Sequence, residues 1–307
     1  MNKRTVLVTG AAGLIGHRVR TLLEERGDQA VAIDKWESKV EGREVLECDL
    51  TDVHSLHRLV MAYRPDAIIH AGAISGPMVA RDNPYAIIQN NLVGTANILE
   101  IARLHRIRRV VFCSSVSACG PTPAGPVPEN IALHPTSVYG ATKAAGEQLI
   151  TAYATQHQVD GVSVRLSWVY GPRRQTACVI RTMLLNAMQK KPTRIPFGAD
   201  FNRQYIYVED AVRGLLLALD STDLRQRTYF ITGGTFLTIG QIAQVVLTLY
   251  PKAEIEISPG PDPDDDVQEI FDISAAQRDL GYRPQFSIEQ GIESYRDWLE
   301  CTGAHQS

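Results

Sequence analysis

The sequence predicts an α/β fold built on a doubly wound parallel sheet. Three observations point there. Short β-branched runs alternate with helical patterns along the first half of the chain. The first of these runs ends in a glycine-rich turn that opens directly into a helix. With 307 residues, the chain is long enough to bury a large core in one big domain or two closely packed ones.

The elements follow in order. Residues 5–8, Thr-Val-Leu-Val, form a short buried strand. Residues 9–16 read Thr-Gly-Ala-Ala-Gly-Leu-Ile-Gly, and residues 17–23 continue with helical periodicity. The spacing G-x-x-G-x-x-G differs from the commoner G-x-G-x-x-G, but the physics is shared. Gly10 permits the tight turn, Gly13 lets backbone approach a pyrophosphate, and Gly16 permits close helix packing. The helix behind the turn offers free N–H groups and its positive dipole end to an anion. A turn of this kind between a first strand and a first helix points to dinucleotide binding. A second strand, residues 30–33, ends at Asp34, close to the ~20-residue offset of a ribose-binding carboxylate. A carboxylate there hydrogen-bonds the adenosine 2′-OH and repels a 2′-phosphate, so NAD is favoured over NADP. The adjacent Lys35 slightly weakens that exclusion.

A third strand ends at residues 48–52. Asp49 either faces the adenine amino group or caps the next helix, a role that Thr51 or Asp52 also fits. Residues 67–73 form a fourth strand ending in small side chains, which let a cofactor lie close to the backbone; His70 reads as a structural strand-end residue. A long helical pattern runs from 83 to 103. Asn91 interrupts its apolar stripe, either as a buried hydrogen-bonding residue near a site or as a tolerated one. Residues 110–113 form strand five, followed by Ser114, Ser115 and Ser117, where a hydroxyl can reach into a ligand crevice. After a proline-rich loop, residues 121–134, Ser137 precedes a run of good helix formers containing Tyr139 and Lys143. Four residues apart on a helix, these two side chains share a face. An ammonium beside a phenol favours the phenolate, which can serve as general base towards a hydroxyl near neutral pH.

Composition narrows the function classes. The 44% hydrophobic and 21% charged residues are ordinary for a soluble globular protein, and a formal net charge of -3 gives no nucleic-acid footprint. No apolar run is long enough to span a bilayer, and residues 1–5 lead straight into the first strand where a signal peptide would show a long apolar segment. A cytoplasmic protein with no membrane or nucleic-acid partner is expected. The five cysteines, Cys48, Cys113, Cys119, Cys178 and Cys301, are odd in number and lack C-x-x-C spacing; they read as buried free thiols, and no metal site is expected.

The combination of residues 9–16, Asp34, Ser114-Ser115 and Tyr139-Gly140-Ala141-Thr142-Lys143 resembles the extended short-chain dehydrogenase/reductases, in the NAD-dependent epimerase/dehydratase family (its UDP-glucose 4-epimerase-like branch). Val169-Tyr170-Gly171-Pro172, residues 203–211, Asp272-Ile273-Ser274 and residues 280–284 look like further signatures of that family, so the resemblance covers nearly the whole chain. It implies a Rossmann domain with about seven parallel strands, residues 1–170 with 205–233 returning to the sheet. A smaller substrate-binding lobe would come from 171–204 and 234–300. It implies a homodimer packed through the helix ending near Arg103 and the helix carrying Tyr139. The cofactor contacts it implies are Gly10, Gly13, Leu14, Ile15 and Gly16, then Asp34, Asp49 and Leu50, then Ala71, Gly72, Ala73 and Asn91, and finally Tyr139 and Lys143. Tyr139 would be general base or acid on a sugar hydroxyl, Lys143 would lower its pKa and hold the nicotinamide ribose, and Ser115 would hydrogen-bond the same substrate oxygen; Ser114 or Ser117 are the other hydroxyls available. Ser75, Val116 and Arg203 join Ser115 as substrate contacts.

Departures from the family pattern shape the expected activity. Dehydratases of the family carry an Asp-Glu pair where this chain has Val116 and Ser117, so no acid is available there to expel water; Cys119 stands where an aromatic is common. Arg173, Arg174, Arg181, Lys190, Lys191, Arg194 and Arg203 are the basic candidates for a sugar-nucleotide diphosphate, with Arg203 the best placed. Residues 261–266, Pro-Asp-Pro-Asp-Asp-Asp, would repel a diphosphate if they faced the cleft. The resemblance implies epimerisation of a nucleotide sugar by transient hydride transfer. The alternative is an NAD-dependent dehydrogenase of a free sugar or sugar acid that releases NADH. The intact Ser115, Tyr139 and Lys143 set argues against a non-catalytic NAD-binding protein.

Overall fold

The strands and helices alternate as the hydrophobic pattern dictates. In the computed structural model, which describes residues 3–303, β1 (Thr5–Thr9) leads into α1 (Leu14–Glu25) and β2 (Gln29–Asp34). A hairpin of β3 (Ser38–Val40) and β4 (Arg43–Glu47) precedes α2 (Val53–Tyr63) and β5 (Ala67–His70). The long helical stretch is then α3 (Pro84–Ile87), a π-helical segment (Ile88–Val93) and α4 (Gly94–His105). Next come β6 (Arg109–Ser115), α5 (Val138–His157) and β7 (Gly161–Leu166). The C-terminal part runs through β8 (Trp168–Tyr170), α6 (Val179–Met188), β9 (Thr193–Ile195), β10 (Asn202–Arg203), β11 (Tyr205–Tyr207), α7 (Val208–Asp220) and β12 (Thr228–Ile231). It finishes with β13 (Leu237–Thr238), α8 (Ile239–Leu249), β14 (Ile255–Ile257), α9 (Ser274–Leu280) and α10 (Ile288–Cys301).

The main sheet has the order β12-β7-β6-β5-β1-β2-β4-β3. All its neighbours run parallel except β3, which pairs antiparallel with β4. The sheet therefore has eight strands: the seven parallel ones and an antiparallel edge strand that was not anticipated. Its cause is local. Val40 pairs with Arg43 across a two-residue turn in which Glu41 and Gly42 both take positive φ, 51° and 76°, and such turns match the twist of a tight hairpin.

Alternation along β1 sets the two layers. Val6 and Val8 face the side covered by α1 and α7, with Val19, Leu23, Ala211 and Leu215. Leu7 faces the side covered by α2, α4 and α5, with Leu56, Val60, Ile98 and Ile150. Both layers are buried, as a parallel sheet requires. From β1 the strand order runs outward one way through β2 and the other way through β5, so the carboxyl ends of β1 and β5 flank the switch point where such folds bind ligands.

A buried polar chain holds that switch point together. The Thr9 hydroxyl accepts from the Gly72 N–H (2.9 Å) and lies 2.8 Å from His70 Nδ1, while His70 Nε2 is 3.1 Å from Thr95 Oγ1. Thr95 donates onward to the Asn91 carbonyl (2.5 Å), so the network assigns His70 as neutral with its proton on Nε2. Burial, helped by the charge of Lys143, pushes its pKa down to about 3. His70 is thus structural.

Beyond the sheet, three two-stranded ladders organise the C-terminal segments: β8 with β11, β10 with β13, and β9 with β14. All five cysteines are free, but Cys301 is exposed on the last turn of α10, so only the other four are buried thiols. Cys119 packs with Val116, Val127, Phe230 and Phe271, and burial pushes its thiol up to about 12. Among the described residues no helix is long and apolar enough to cross a membrane.

Candidate active site

A cleft of about 610 Å³ opens over the carboxyl ends of β1, β2, β5 and β6. At its base the glycine turn behaves as its spacing dictates. Gly10 sits at φ +66°, where an added Cβ would fall 2.7 Å from the Gly72 Cα of the neighbouring strand end. A Cβ on Gly16 would fall 2.7 Å from the Gly10 carbonyl carbon, so α1 packs on the turn only with glycine there. Gly13 is different: a Cβ would meet nothing closer than the Gly10 oxygen at 3.3 Å, which leaves its face open to the cleft. Gly13 also caps α1 without any side-chain hydrogen bond, so the first-turn N–H groups at Leu14, Ile15 and Gly16 stay available on the cleft wall. An open glycine face beside an uncapped helix N-terminus fits a pyrophosphate.

Asp34 stands at the end of β2. Its carboxylate accepts from the Ala12 N–H (3.0 Å) and the Lys35 N–H (2.7 Å), which fixes it beside the glycine turn. Lys35 turns its ammonium towards Asp49 (3.5 Å), so the cation beside Asp34 is already paired. Asp49 also accepts from the Thr51 N–H and hydroxyl (2.8 Å each) and is not on the cleft wall; Asp52 is the N-cap of α2. Leu50, Ala71, Gly72, Ala73 and Ser75 do line the cleft. Asn91 does not. Its amide brackets Ile74, accepting from the N–H (2.8 Å) and donating to the carbonyl (3.0 Å), and donates to Thr142 on α5 (3.2 Å). It therefore shapes the loop after β5 from behind, where the π-helical segment bulges towards it. These residues fit a dinucleotide, with the Asp34 carboxylate at one end and Lys143 at the other.

At that other end, Ser137 caps α5 by accepting from the Gly140 N–H (3.0 Å), so the helix begins just before Tyr139. Tyr139 and Lys143 share the buried face turned to β6. The Lys143 ammonium donates to the Cys113 carbonyl (2.7 Å) and lies 5.7 Å from the centre of the Tyr139 ring. Three serines meet them. The Ser114 hydroxyl is committed to Glu147 (2.5 Å), which Arg165 holds through both carboxylate oxygens. Ser115 and Ser117 face each other 3.2 Å apart on the cleft wall, with Val116 between them.

A second cavity, about 340 Å³, adjoins the first; Pro77, Ser117 and Tyr139 line both. Its walls include Arg81, Thr136 and the acidic stretch 264–266. Arg203 is not on either wall. Its guanidinium is buried behind that stretch, bonded to Asp262 (2.5 Å) and Asp265 (2.8 Å) and stacked 3.9 Å over Trp168. One guanidinium cannot neutralise two buried carboxylates; burial, against the pull of Arg203, raises Asp265 to about 6. Sequence reasoning missed Trp36, Trp168, Arg81 and Thr136 as wall residues. Trp36 carried a weak signal, two positions after Asp34; Arg81 and Thr136 lie on loops and Trp168 opens β8, and the approach of all three depends on the tertiary fold.

Comparison with known proteins agrees with this geometry. The chain is 29% identical over 321 residues to a UDP-glucuronate 4-epimerase of Thermodesulfobacterium geofontis, covering 95% of each chain. It is similar to the crystal structure of UDP-glucose 4-epimerase from Thermotoga maritima with UDP-glucose, with a TM-score of 0.90, 26% identity and coverage of 97% of this chain and 99% of that one. It is also similar to UDP-glucose 4-epimerase of Thermus thermophilus in complex with NAD, at a TM-score of 0.86, 27% identity and coverage of 96% and 99%. The model of the NAD dependent epimerase/dehydratase family matches residues 6–231, most of the chain, and the protein accordingly belongs to that family as an NAD-dependent enzyme of the extended short-chain dehydrogenase/reductase type.

Proposed function

We propose that this enzyme interconverts the epimers of a nucleotide sugar, with Tyr139 taking and returning the proton of the reacting hydroxyl. The observation that carries the reading is the position of Tyr139 on the walls of both the larger cleft and the adjoining cavity, where one phenol would stand between a cofactor in the first and a sugar in the second. The similarity to enzymes named UDP-glucuronate and UDP-glucose 4-epimerase supports a UDP-sugar as substrate.

Bound NAD supplies a hydride acceptor that can return what it takes. The protein supplies geometry and proton handling. Gly13 and the first turn of α1 hold the pyrophosphate, and Asp34 holds the adenosine ribose. Lys143, fixed by the Cys113 carbonyl, holds the nicotinamide ribose and keeps a positive charge beside the Tyr139 ring. Ser115 donates to the substrate oxygen as carbonyl character develops, while Ser114 is occupied with Glu147. Val116 and Ser117 provide no acid for water loss, so dehydration has no catalyst at this position. Residues 171–204 and 234–300 form the substrate lobe, and a cytoplasmic homodimer packed through α4 and α5 completes the proposal.

The test is a substrate panel. The NAD-loaded enzyme is incubated with UDP-, GDP- and TDP-sugars beside free aldoses and uronic acids, following sugar stereochemistry and nicotinamide reduction together. The proposal expects one nucleotide sugar to equilibrate with its epimer with little net NADH. Steady NADH from a free sugar or sugar acid, with no nucleotide sugar converted, would overturn it.

A further inference from the structure

The cavity beside Tyr139 has an acidic wall of Asp264, Asp265 and Asp266, and the loop that carries it is tied to two arginines, Arg81 and Arg203. Asp262 and Asp265 hold Arg203, whose side chain is 3% exposed. Asp264 pairs with Arg81, from the loop after β5. Asp266 accepts from the Thr136 hydroxyl (2.6 Å), next to the cap of α5. Just beyond, Gln268 donates to the carbonyls of Val116 and Gly120 (2.9 Å each). One short loop thus joins three segments that surround the reacting phenol.

The charges do not balance. Four carboxylates face two guanidinium groups, and the surplus is negative. A diphosphate entering this cavity would meet like charge at contact range, a strongly unfavourable juxtaposition. Yet the cations that suit it are present, and a guanidinium accepts a phosphate as readily as a carboxylate, through the same fork of donors. The loop's carboxylates are paired with both of these guanidinium groups.

Resting on the nucleotide-sugar reading, we propose that residues 262–266 act as an internal anion: Asp262, Asp264 and Asp265 occupy the guanidinium groups of Arg203 and Arg81, and a substrate diphosphate binds by exchange with them. Selectivity follows. A diphosphate brings enough charge to replace the carboxylates on both arginines. A neutral sugar or a monoanion cannot, and leaves the loop in place. Asp262, Asp264 and Asp265 are therefore specificity-determining residues.

The experiment measures UDP binding to the NAD-loaded protein by calorimetry, for wild type, Asp262→Asn/Asp265→Asn and Asp264→Asn. Removing the competing charge should tighten UDP binding at least about tenfold in the double variant and several-fold in Asp264→Asn, the size expected for relieving like-charge contact. Unchanged or weaker binding in folded variants overturns the proposal, as does failure of every form to bind UDP. Asp264 is on the rim, so Asp264→Asn decides the matter alone if the buried double variant does not fold. Sugar stereochemistry, read separately, keeps the two claims apart. Wild type that interconverts epimers while the variants bind UDP unchanged retains the enzymatic reading and loses the exchange. Tighter UDP binding in the variants without any epimerisation does the reverse.

Discussion

Removing the carboxylate of Glu147 should be the most damaging single change near the site that leaves the reacting residues untouched. Glu147 lies one turn after Lys143 on α5 and is 2% exposed; Arg165 on β7 is 3% exposed. The carboxylate accepts from Arg165 Nε (2.9 and 3.1 Å) and Nη2 (2.7 Å), and from the Ser114 hydroxyl (2.5 Å). Among the described residues, Arg165 has the Glu129 carbonyl (2.9 Å) and the face of Phe230 as further partners. Glu147→Ala therefore strands a guanidinium in the interior and leaves the Ser114 hydroxyl unsatisfied. Breaking a buried pair in this way costs about 3–5 kcal/mol. The loss is read as a shift of the urea midpoint at constant slope, on cofactor-free protein. The double variant Glu147→Leu/Arg165→Met should recover most of it, because both charges go together. A loss below about 1 kcal/mol for Glu147→Ala would refute the reasoning, since a desolvated arginine cannot lose its partner that cheaply.

The remaining predictions concern the cofactor cleft, proton transfer and acid stability. Gly16→Ala should abolish detectable NAD binding, since its Cβ would fall 2.7 Å from the Gly10 carbonyl carbon; calorimetric titration with NAD checks this. Asp34→Ala should erase the preference for NADH over NADPH, measured by competitive binding, and a wild type that prefers NADPH would refute the assignment. Tyr139→Phe should keep NAD binding and lose nearly all turnover, by about 10²-fold or more, because the ring packs but the phenolic oxygen is gone. His70 has its pKa lowered to about 3 by burial and Lys143, so it folds neutral. The unfolded chain takes up that proton below its ordinary value of 6.5, so this stability is fully present above pH 6.5 and is lost progressively as pH falls from there to about 3, on the order of 5 kcal/mol in all. Thermal melts from pH 7 to 4 should fall more steeply for wild type than for His70→Gln; parallel profiles would sink the assignment.

Much of the cleft could be read from the sequence because its chemistry is local. The glycine turn, Asp34 and the Tyr139–Lys143 pair each sit at the end of a strand or the start of a helix, where spacing fixes direction. Ser115 could be singled out only by resemblance; in the structure Ser114 is bonded to Glu147, while Ser117 stands beside Ser115 on the cleft wall. Asn91 is buried and polar, one of the two readings its place in the stripe allowed, but it stands behind the cleft wall instead of on it; its partners, Ile74 and Thr142, lie 17 and 51 residues away and no periodicity encodes them. The π-helical segment around it was invisible for the same reason: the apolar stripe continues through it. Arg203 shows the limit most plainly. It was expected to face substrate, but Asp262 and Asp265, 59 and 62 residues further on, have taken its donors. The edge strand Ser38–Val40 is the opposite case, since the turn that makes it, Glu41-Gly42, lies within three residues of it in the sequence.

The central claim is inversion by a hydride that leaves the sugar and comes back to it, with Tyr139 handling the proton. Running the reaction in D₂O with the NAD-loaded enzyme and UDP-glucuronate or UDP-glucose tests it most directly. The inverted carbon should retain its original hydrogen, with no solvent deuterium in the product and no accumulating NADH, and Tyr139→Phe should leave the substrate unchanged. Deuterium at the inverted carbon, or NADH rising in step with an oxidised sugar, would contradict it.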